Sequence, residues 1–289
     1  MKRPSRWLSI VLVFTLVAVL LFVGLPVGSG PPTNLARSYA QTTGPTIRVA
    51  ITVGLVPWQY KDRSGRLTGF EVEMLRDVGR RLSRNIEFID VEWEGIFAGL
   101  QANKYEIIAS AISIICERQK ILDFSVPYYD TGVSVTVRKA DRRVQQVEDL
   151  KGMILGVGGA GTTSHLWLLR HRFRYEMKEI KVYDKTVSAM LDLEVGRIDG
   201  VAENYPTATG YVKDKPVLDV RLRNLTAGKT GMAFRKGDPL TGQINATIDS
   251  MKRDGTMARL HREQFGFDAT ADAAVVRVQP PVPLAEDCR

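Results

Sequence analysis

The residues richest in chemistry form a run of nine: Ser110-Ala111-Ile112-Ser113-Ile114-Ile115-Cys116-Glu117-Arg118. The run leaves an apolar, strand-like segment and ends in a charged turn. Small side chains at its start let backbone come close to a ligand. Ser113 brings a hydroxyl that both donates and accepts, and Arg118 brings a planar fork that fits a carboxylate with two parallel hydrogen bonds. A second stretch, Gly156-Val157-Gly158-Gly159-Ala160-Gly161, fits G-x-G-x-x-G, with a strand-like run before it, a helical run after it and Asp184 further on. That is the outline of a dinucleotide-binding turn, although glycine-rich loops match so short a pattern by chance. The same geometry serves other ligands, because the amides of Thr162 and Thr163 open a helix and attract any anion, a carboxylate included. Trp58 and Trp93 each follow a strand end, where open α/β sheets bind ligands; each reads as core or as an aromatic wall around a small ligand. His165 and His171 would lie on different faces of one helix, and with His261 they show no metal-ligand spacing. No metal and no cofactor is expected.

The elements that must position these residues alternate. Apolar, β-rich runs at 46–53, 86–91, 106–114, 133–138, 153–157, 180–183, 198–202 and 230–234 read as strands. Phe70, Met74, Leu75, Val78 and Leu82 fall at helical spacing over 70–82. Further helices are expected over 93–103, 162–173, 187–195, 206–212, 240–253 and 256–265. The turn signal KDRSGRLTG within 58–69 predicts a hairpin. Asp238-Pro239 reads as an N-cap followed by proline at the first helical position. Strands alternating with helices predict an α/β fold with mostly parallel sheets, and so long a body predicts two sheets rather than one. Residues 269–289 carry Ala, Pro and Val without periodicity and read as a loose, disordered tail.

Charge narrows the function classes. The chain has 289 residues, 40 Lys+Arg and 32 Asp+Glu, a formal +8. Residues 1–40 hold four of the bases and no acid, so the rest carries only +4, the level of an ordinary solvated surface and not of a nucleic-acid binder. Those forty residues have the layout of a signal peptide: a basic start, an apolar run without charge over 8–28, and small residues at Ser38 and Ala40 before Gln41. Cleavage is the preferred reading and an uncleaved N-terminal anchor is its rival, since the run is long enough to span a bilayer. Either way the body lies outside the cytoplasmic membrane, where nicotinamide cofactors are scarce. Of the two cysteines, Cys116 lies in the globular body and Cys288 in the tail. An exported chain could join them, but the reading without a disulfide is preferred.

From 110–118 outward the chain resembles the family 3 extracellular solute-binding proteins, the amino-acid receptors of ABC importers. Its landmarks stand in the family's order over about 47–267: Pro57-Trp58 with Gly69-Phe70-Glu71-Val72; Trp93-Glu94-Gly95-Ile96; Ser113-Ile114 with Glu117-Arg118; Asp123-Phe124-Ser125; Asp149-Leu150-Lys151-Gly152; Gly161-Thr162-Thr163; Gly196-Arg197-Ile198-Asp199; Gly231-Met232; and Asp254-Gly255-Thr256. The resemblance implies the two-lobed periplasmic-binding-protein fold (type II), with the first part of lobe 1 at 46–131, lobe 2 at 132–225 and the rest of lobe 1 at 226–268. It implies a monomer that holds an amino acid between its lobes and delivers it to a membrane permease. Arg118 and the amides of Ser113 and Thr163 would take the ligand's carboxylate. The Ser113 hydroxyl and the Ala111 carbonyl would take the ammonium, Ser110 belongs to the same ligand site, Trp93 stands at an apolar or aromatic wall, and Trp58 stands at a phenylalanine of the family. Asn204 stands where the family has an ammonium-binding aspartate, and Glu203 is its neighbour. Leu55, Thr52 and Cys116 replace more usual aromatic, acidic and threonine residues, so the implied ligand is a neutral amino acid or a related carboxylate rather than a cationic one. The alternative function is an exported enzyme like the cyclohexadienyl dehydratases, with Glu203 as its general acid.

Overall fold

The computed structural model describes residues 44–284. The expected leader at 1–40, Cys288 and the last residues of the tail lie outside the described residues. In the first lobe the chain forms β1 (Thr46–Ile51), the hairpin β2 (Tyr60–Lys61) and β3 (Leu67–Thr68), α1 (Phe70–Leu82), β4 (Asn85–Asp90), α2 (Trp93–Gln101), β5 (Ile107–Ile108), α3 (Cys116–Gln119) and β6 (Leu122–Phe124). It passes through β7 (Tyr129–Thr131) into a second lobe of β8 (Val133–Arg138), β9 (Ile154–Gly158), α4 (Thr163–His171), β10 (Glu179–Tyr183), α5 (Thr186–Glu194), β11 (Gly200–Asn204), α6 (Tyr205–Val212) and β12 (Leu218–Leu222). It returns through β13 (Gly228–Thr230) to β14 (Ala233–Arg235), α7 (Leu240–Arg253) and α8 (Thr256–Phe265).

Two five-stranded sheets result, ordered β4-β1-β5-β14-β6 and β10-β9-β11-β8-β12, and β7 pairs antiparallel with β13 where the chain crosses between them. Both sheets are mixed, and in each four of the five strands run one way with a single strand opposed, within the expected two-lobed α/β fold. β1 runs parallel to β4 and β5, but β14 runs antiparallel to β5 and β6; likewise β9 runs parallel to β10 and β11, but β8 runs antiparallel to β11 and β12. The cause is the connection. Parallel neighbours are joined by crossover helices, whereas β8 and β14 are entered directly from the crossing strands and so run the other way.

Each sheet is covered on both faces. One face of the first sheet packs Ile47, Val49 and Ile51 against Phe70, Met74, Leu75 and Val78 of α1 and Ile244, Ile248 and Met251 of α7. The other packs Ala50 and Ile108 against Ile96 and Leu100 of α2. Helix α1 forms because its apolar residues recur at helical spacing, with Glu71 and Glu73 in the first turn and Arg80 and Arg81 in the last, complementing the helix dipole.

The strand expected over 106–114 stops at Ile108, because Ala111 takes a left-handed backbone (φ +48°) that no strand continues through. The strand expected over 230–234 is likewise divided, between β13 and β14.

The loose tail expected from 269 does not hold as far as 284. Ala274 and Val275 are buried. The Ala274 amide donates to Asp130 (2.7 Å), Lys252 Nζ donates to the Arg277 carbonyl (3.1 Å), and Gln119 Nε2 donates to the Val282 carbonyl (2.7 Å). Apolar and backbone groups of the tail find partners on lobe 1 and lead it back to α3. Cys116, in that helix, is disulfide-bonded, and Cys288 is the chain's one other cysteine. The reading without a disulfide is therefore corrected.

Candidate ligand-binding site

A cavity opens where the parallel strands of both sheets end. Lobe 1 lines it with Thr52, Leu55, Trp93, Ser110, Ala111, Ser113 and Arg118; lobe 2 with Gly158, Gly159, Thr162, Thr163, Asp184, Lys185, Glu203, Asn204, Thr207 and Tyr211. Strand ends leave backbone groups without ladder partners, which is why ligands gather there in α/β sheets.

Arg118 dominates its electrostatics. The residue is buried, Nη1 donates to the Ser113 carbonyl (3.0 Å) and Nη2 to the Gly161 carbonyl across the cleft (3.1 Å). The guanidinium lies 5.2 Å from the ring centres of both Trp93 and Phe97, so aromatic faces hold it in place. Burial pulls its pKa down to about 10, with Glu117 opposing weakly. It therefore stays charged at neutral pH, and its partners are neutral carbonyls. A desolvated cation held in this way is an anion site.

Two buried polar atoms face the same cavity without a protein partner, Ser113 Oγ and Asn204 Oδ1. Both can accept from an ammonium. Opposite them α4 starts with Thr162 as N-cap, whose hydroxyl accepts from His165 N (3.2 Å). The preceding first-turn amides, that of Thr163 among them, have no intrahelical acceptor and carry the positive end of the helix dipole.

Glu203 is buried in the cavity wall, where Thr186 donates to Oε2 (2.6 Å) and the Asn204 amide to Oε1 (2.7 Å). Burial raises its pKa despite both bonds. Glu203 and Asn204, although neighbours, both line the cavity, because β11 ends there and Asn204 caps α6.

Trp58 does not line the cavity, which corrects its place as a ligand wall. It is 1% exposed and packs edge-on against Phe70, Tyr129 and Phe265. Its indole N–H donates to Thr207 of lobe 2 (3.0 Å), so it joins the lobes from beneath the site. Trp93 does line it, and its indole N–H donates to the Ala160 carbonyl (2.8 Å). Tyr211 hydroxyl donates to the Gly54 carbonyl, also across the cleft (2.6 Å). Tyr211, Thr207 and Lys185 carried no sequence signal, and Asp184 was noted only as the acid after the glycine-rich turn; all four line the cavity.

The G-x-G-x-x-G turn has a packing role. A side chain on Gly158 would stand 2.2 Å from Thr186 Oγ1, and one on Gly159 2.9 Å from the Trp93 ring. These glycines let α5 and the opposite lobe approach, and the loop's Ala160 and Gly161 carbonyls are taken by Trp93 and Arg118. That use replaces the dinucleotide reading.

Residues 47–267 match the bacterial extracellular solute-binding proteins, family 3. The chain belongs to this family. Among curated relatives, this solute-binding protein is 30% identical over 257 residues to the L-cystine-binding protein TcyJ of Escherichia coli (strain K12), covering 88% of this chain and 94% of that one. Among solved structures it is similar to an ancestral arginine-binding protein bound to arginine (TM-score 0.73, 30% identity, 76% of this chain and 98% of that one). It is also similar to the ancestral amino-acid-binding protein AncCDT-1, a precursor of cyclohexadienyl dehydratase (TM-score 0.69, 31% identity, 76% and 95%). The two-lobed fold of these binding proteins is the fold described above.

Proposed function

We propose that this protein captures an amino acid, or a closely related small carboxylate, in the cavity between its lobes and presents it to the permease of an ABC importer. The observation that carries the reading is the buried, charged Arg118 set among neutral partners on the cavity wall. The ligand's carboxylate takes the guanidinium and the amides of Ser113 and Thr163; its ammonium takes Ser113 Oγ, Asn204 Oδ1 and the Ser110–Ala111 turn. The relatives' names, which include binding proteins for cystine and arginine, support the ligand class. Asn204 is neutral, which supports a ligand with a neutral side chain, and Lys185 of the same wall is paired with Glu92 (3.0 Å). Closure of two lobes on one ligand, which contacts both only when they meet, shifts the population to the form a permease can recognise. The protein acts as a monomer, exported by its first forty residues.

The dehydratase reading needs a carboxylic acid free to give its proton to substrate. Both Glu203 oxygens are engaged by the protein, which favours binding over catalysis. The test is a thermal-shift panel on residues 41–289 with the standard amino acids and L-cystine. One or a few should raise the melting temperature. A panel without any shift would overturn the reading, and product formed from arogenate or prephenate would replace it with the enzyme.

A further inference from the structure

Glu71, the second residue of α1, is completely buried although it is an acid. Its carboxylate oxygens accept the Ala111 amide, at 3.0 Å each, and the Tyr128 hydroxyl donates to Oε1. Ala111 is a non-glycine residue in the left-handed region (φ +48°), where a β-carbon costs of order 1–2 kcal/mol. Ladder bonds stand on either side of it: the Ala109 amide donates to Ala50 and the Ile114 amide to Lys229. Between them the strand turns out of the sheet, and the amide at the turn meets Glu71 instead of a strand. A buried amide must find an acceptor, so the turn and the acid require each other. The residues around that turn, Ser110, Ala111 and Ser113, line the cavity.

We propose that Glu71 is a positioning residue for the ligand site: its carboxylate, steadied by Tyr128, holds the left-handed turn at Ala111 and so fixes where Ser110 and Ser113 meet the ligand. The proposal rests on the cavity being the amino-acid site. Glu71 itself lies beneath the cavity wall and is not one of its lining residues. Among the described residues the groups that act on it are the Tyr128 hydroxyl and the Ala111 amide, with no neighbouring charge. Burial pushes the carboxyl up to about 7, with those two bonds pulling the other way, so its proton leaves in an accessible pH range.

The Ala111 amide resonance, followed by NMR in protein labelled with 15N-alanine, reads this bond directly. Across about pH 5.5 to 8.5 it should titrate with a midpoint near that of Glu71 and stay flat in Glu71→Gln, which keeps the shape and one acceptor oxygen. Binding of L-glutamine and L-cystine is measured on the same proteins. Glu71→Met, which removes both acceptors, should weaken whichever probe binds by about tenfold or more, the cost of an unsatisfied buried amide, and Glu71→Gln should restore most of it. Should Glu71→Met not fold, Tyr128→Phe serves: losing a bond that favours the ionised acid moves the Ala111 midpoint upward. The proposal is overturned by an Ala111 resonance that does not titrate, one that titrates equally in Glu71→Gln, a folded Glu71→Met with unchanged affinity, or a Tyr128→Phe midpoint that stays put. A wild-type chain that binds neither probe counts against the amino-acid reading, whereas the Ala111 titration still decides the positioning role.

Discussion

Arg118 shows how much one side chain can concentrate. Its fork is partly occupied by two carbonyls, its faces by two rings, and the one carboxylate that acts on its charge, Glu117, does so without a hydrogen bond to it. Arg118→Lys keeps a cation but loses the fork and the stacking. It should weaken a carboxylate ligand by about 1.5–3 kcal/mol, the worth of a charge-assisted bond, read as a rise in Kd by calorimetry with an unchanged fold. Trp58 supports a second prediction. Trp58→Phe keeps the aromatic cluster but removes the N–H that reaches Thr207. It should lower ligand affinity by about 1 kcal/mol through looser lobes while leaving the cavity's chemistry intact; equal affinity in a binding titration would refute this role. Arg118 was legible through the family resemblance of 110–118, since taken alone it reads as a surface arginine. Trp58 was misplaced because a tryptophan beneath a site and one beside it look alike until packing chooses.

At the scale of elements, contact between lobes rests on close backbone approach. A β-carbon on Gly210 in α6 would stand 2.5 Å from the Val56 carbonyl of the other lobe. Gly210→Val should hold the lobes apart, enlarging the radius measured by X-ray scattering and weakening ligand binding while the protein stays folded. The tail makes a separate prediction. It buries Val275 and anchors at Asp130, Lys252 and Gln119, so a chain ending at 268 should melt at lower temperature, as should the full chain after reduction of the Cys116 disulfide. Periodicity located α1, α7 and β8 closely, since each has an apolar face that its spacing declares. It could not find β6, β7 or the split between β13 and β14: strands of three residues are too short for a period of two to show. The tail was misjudged because a peptide docked by its backbone carbonyls needs no side-chain pattern.

For the whole molecule, buried acids and bases set a pH profile of stability. Glu71 is raised from 4.5 to about 7 and Glu203 is raised as well, so both bind protons more tightly folded than unfolded, and their contribution falls as pH rises from about 4.5 toward 7. His261, lowered by burial, works the other way below about 6.5. Lys252, lowered from 10.5 to about 8 by burial, adds stability as pH climbs through that interval. A melting-temperature series should therefore show the gap between wild type and Glu71→Gln widen in the variant's favour from about pH 5 to 7, and Lys252→Met should lose the alkaline rise. A series in which both variants track the wild type would contradict these assignments. The bonds across the cleft have a further consequence. Trp58 to Thr207, Tyr211 to Gly54, Trp93 to Ala160 and Arg118 to Gly161 are contacts the protein makes with itself. The closing equilibrium thus has a term that no cargo supplies, and apparent affinity scales with it. Strengthening any of the four would tighten retention of every cargo alike, and would equally slow its surrender, since the same bonds must break before anything leaves. Dwell time is thereby set in part by bonds that include no atom of what is carried, and selectivity by those that do.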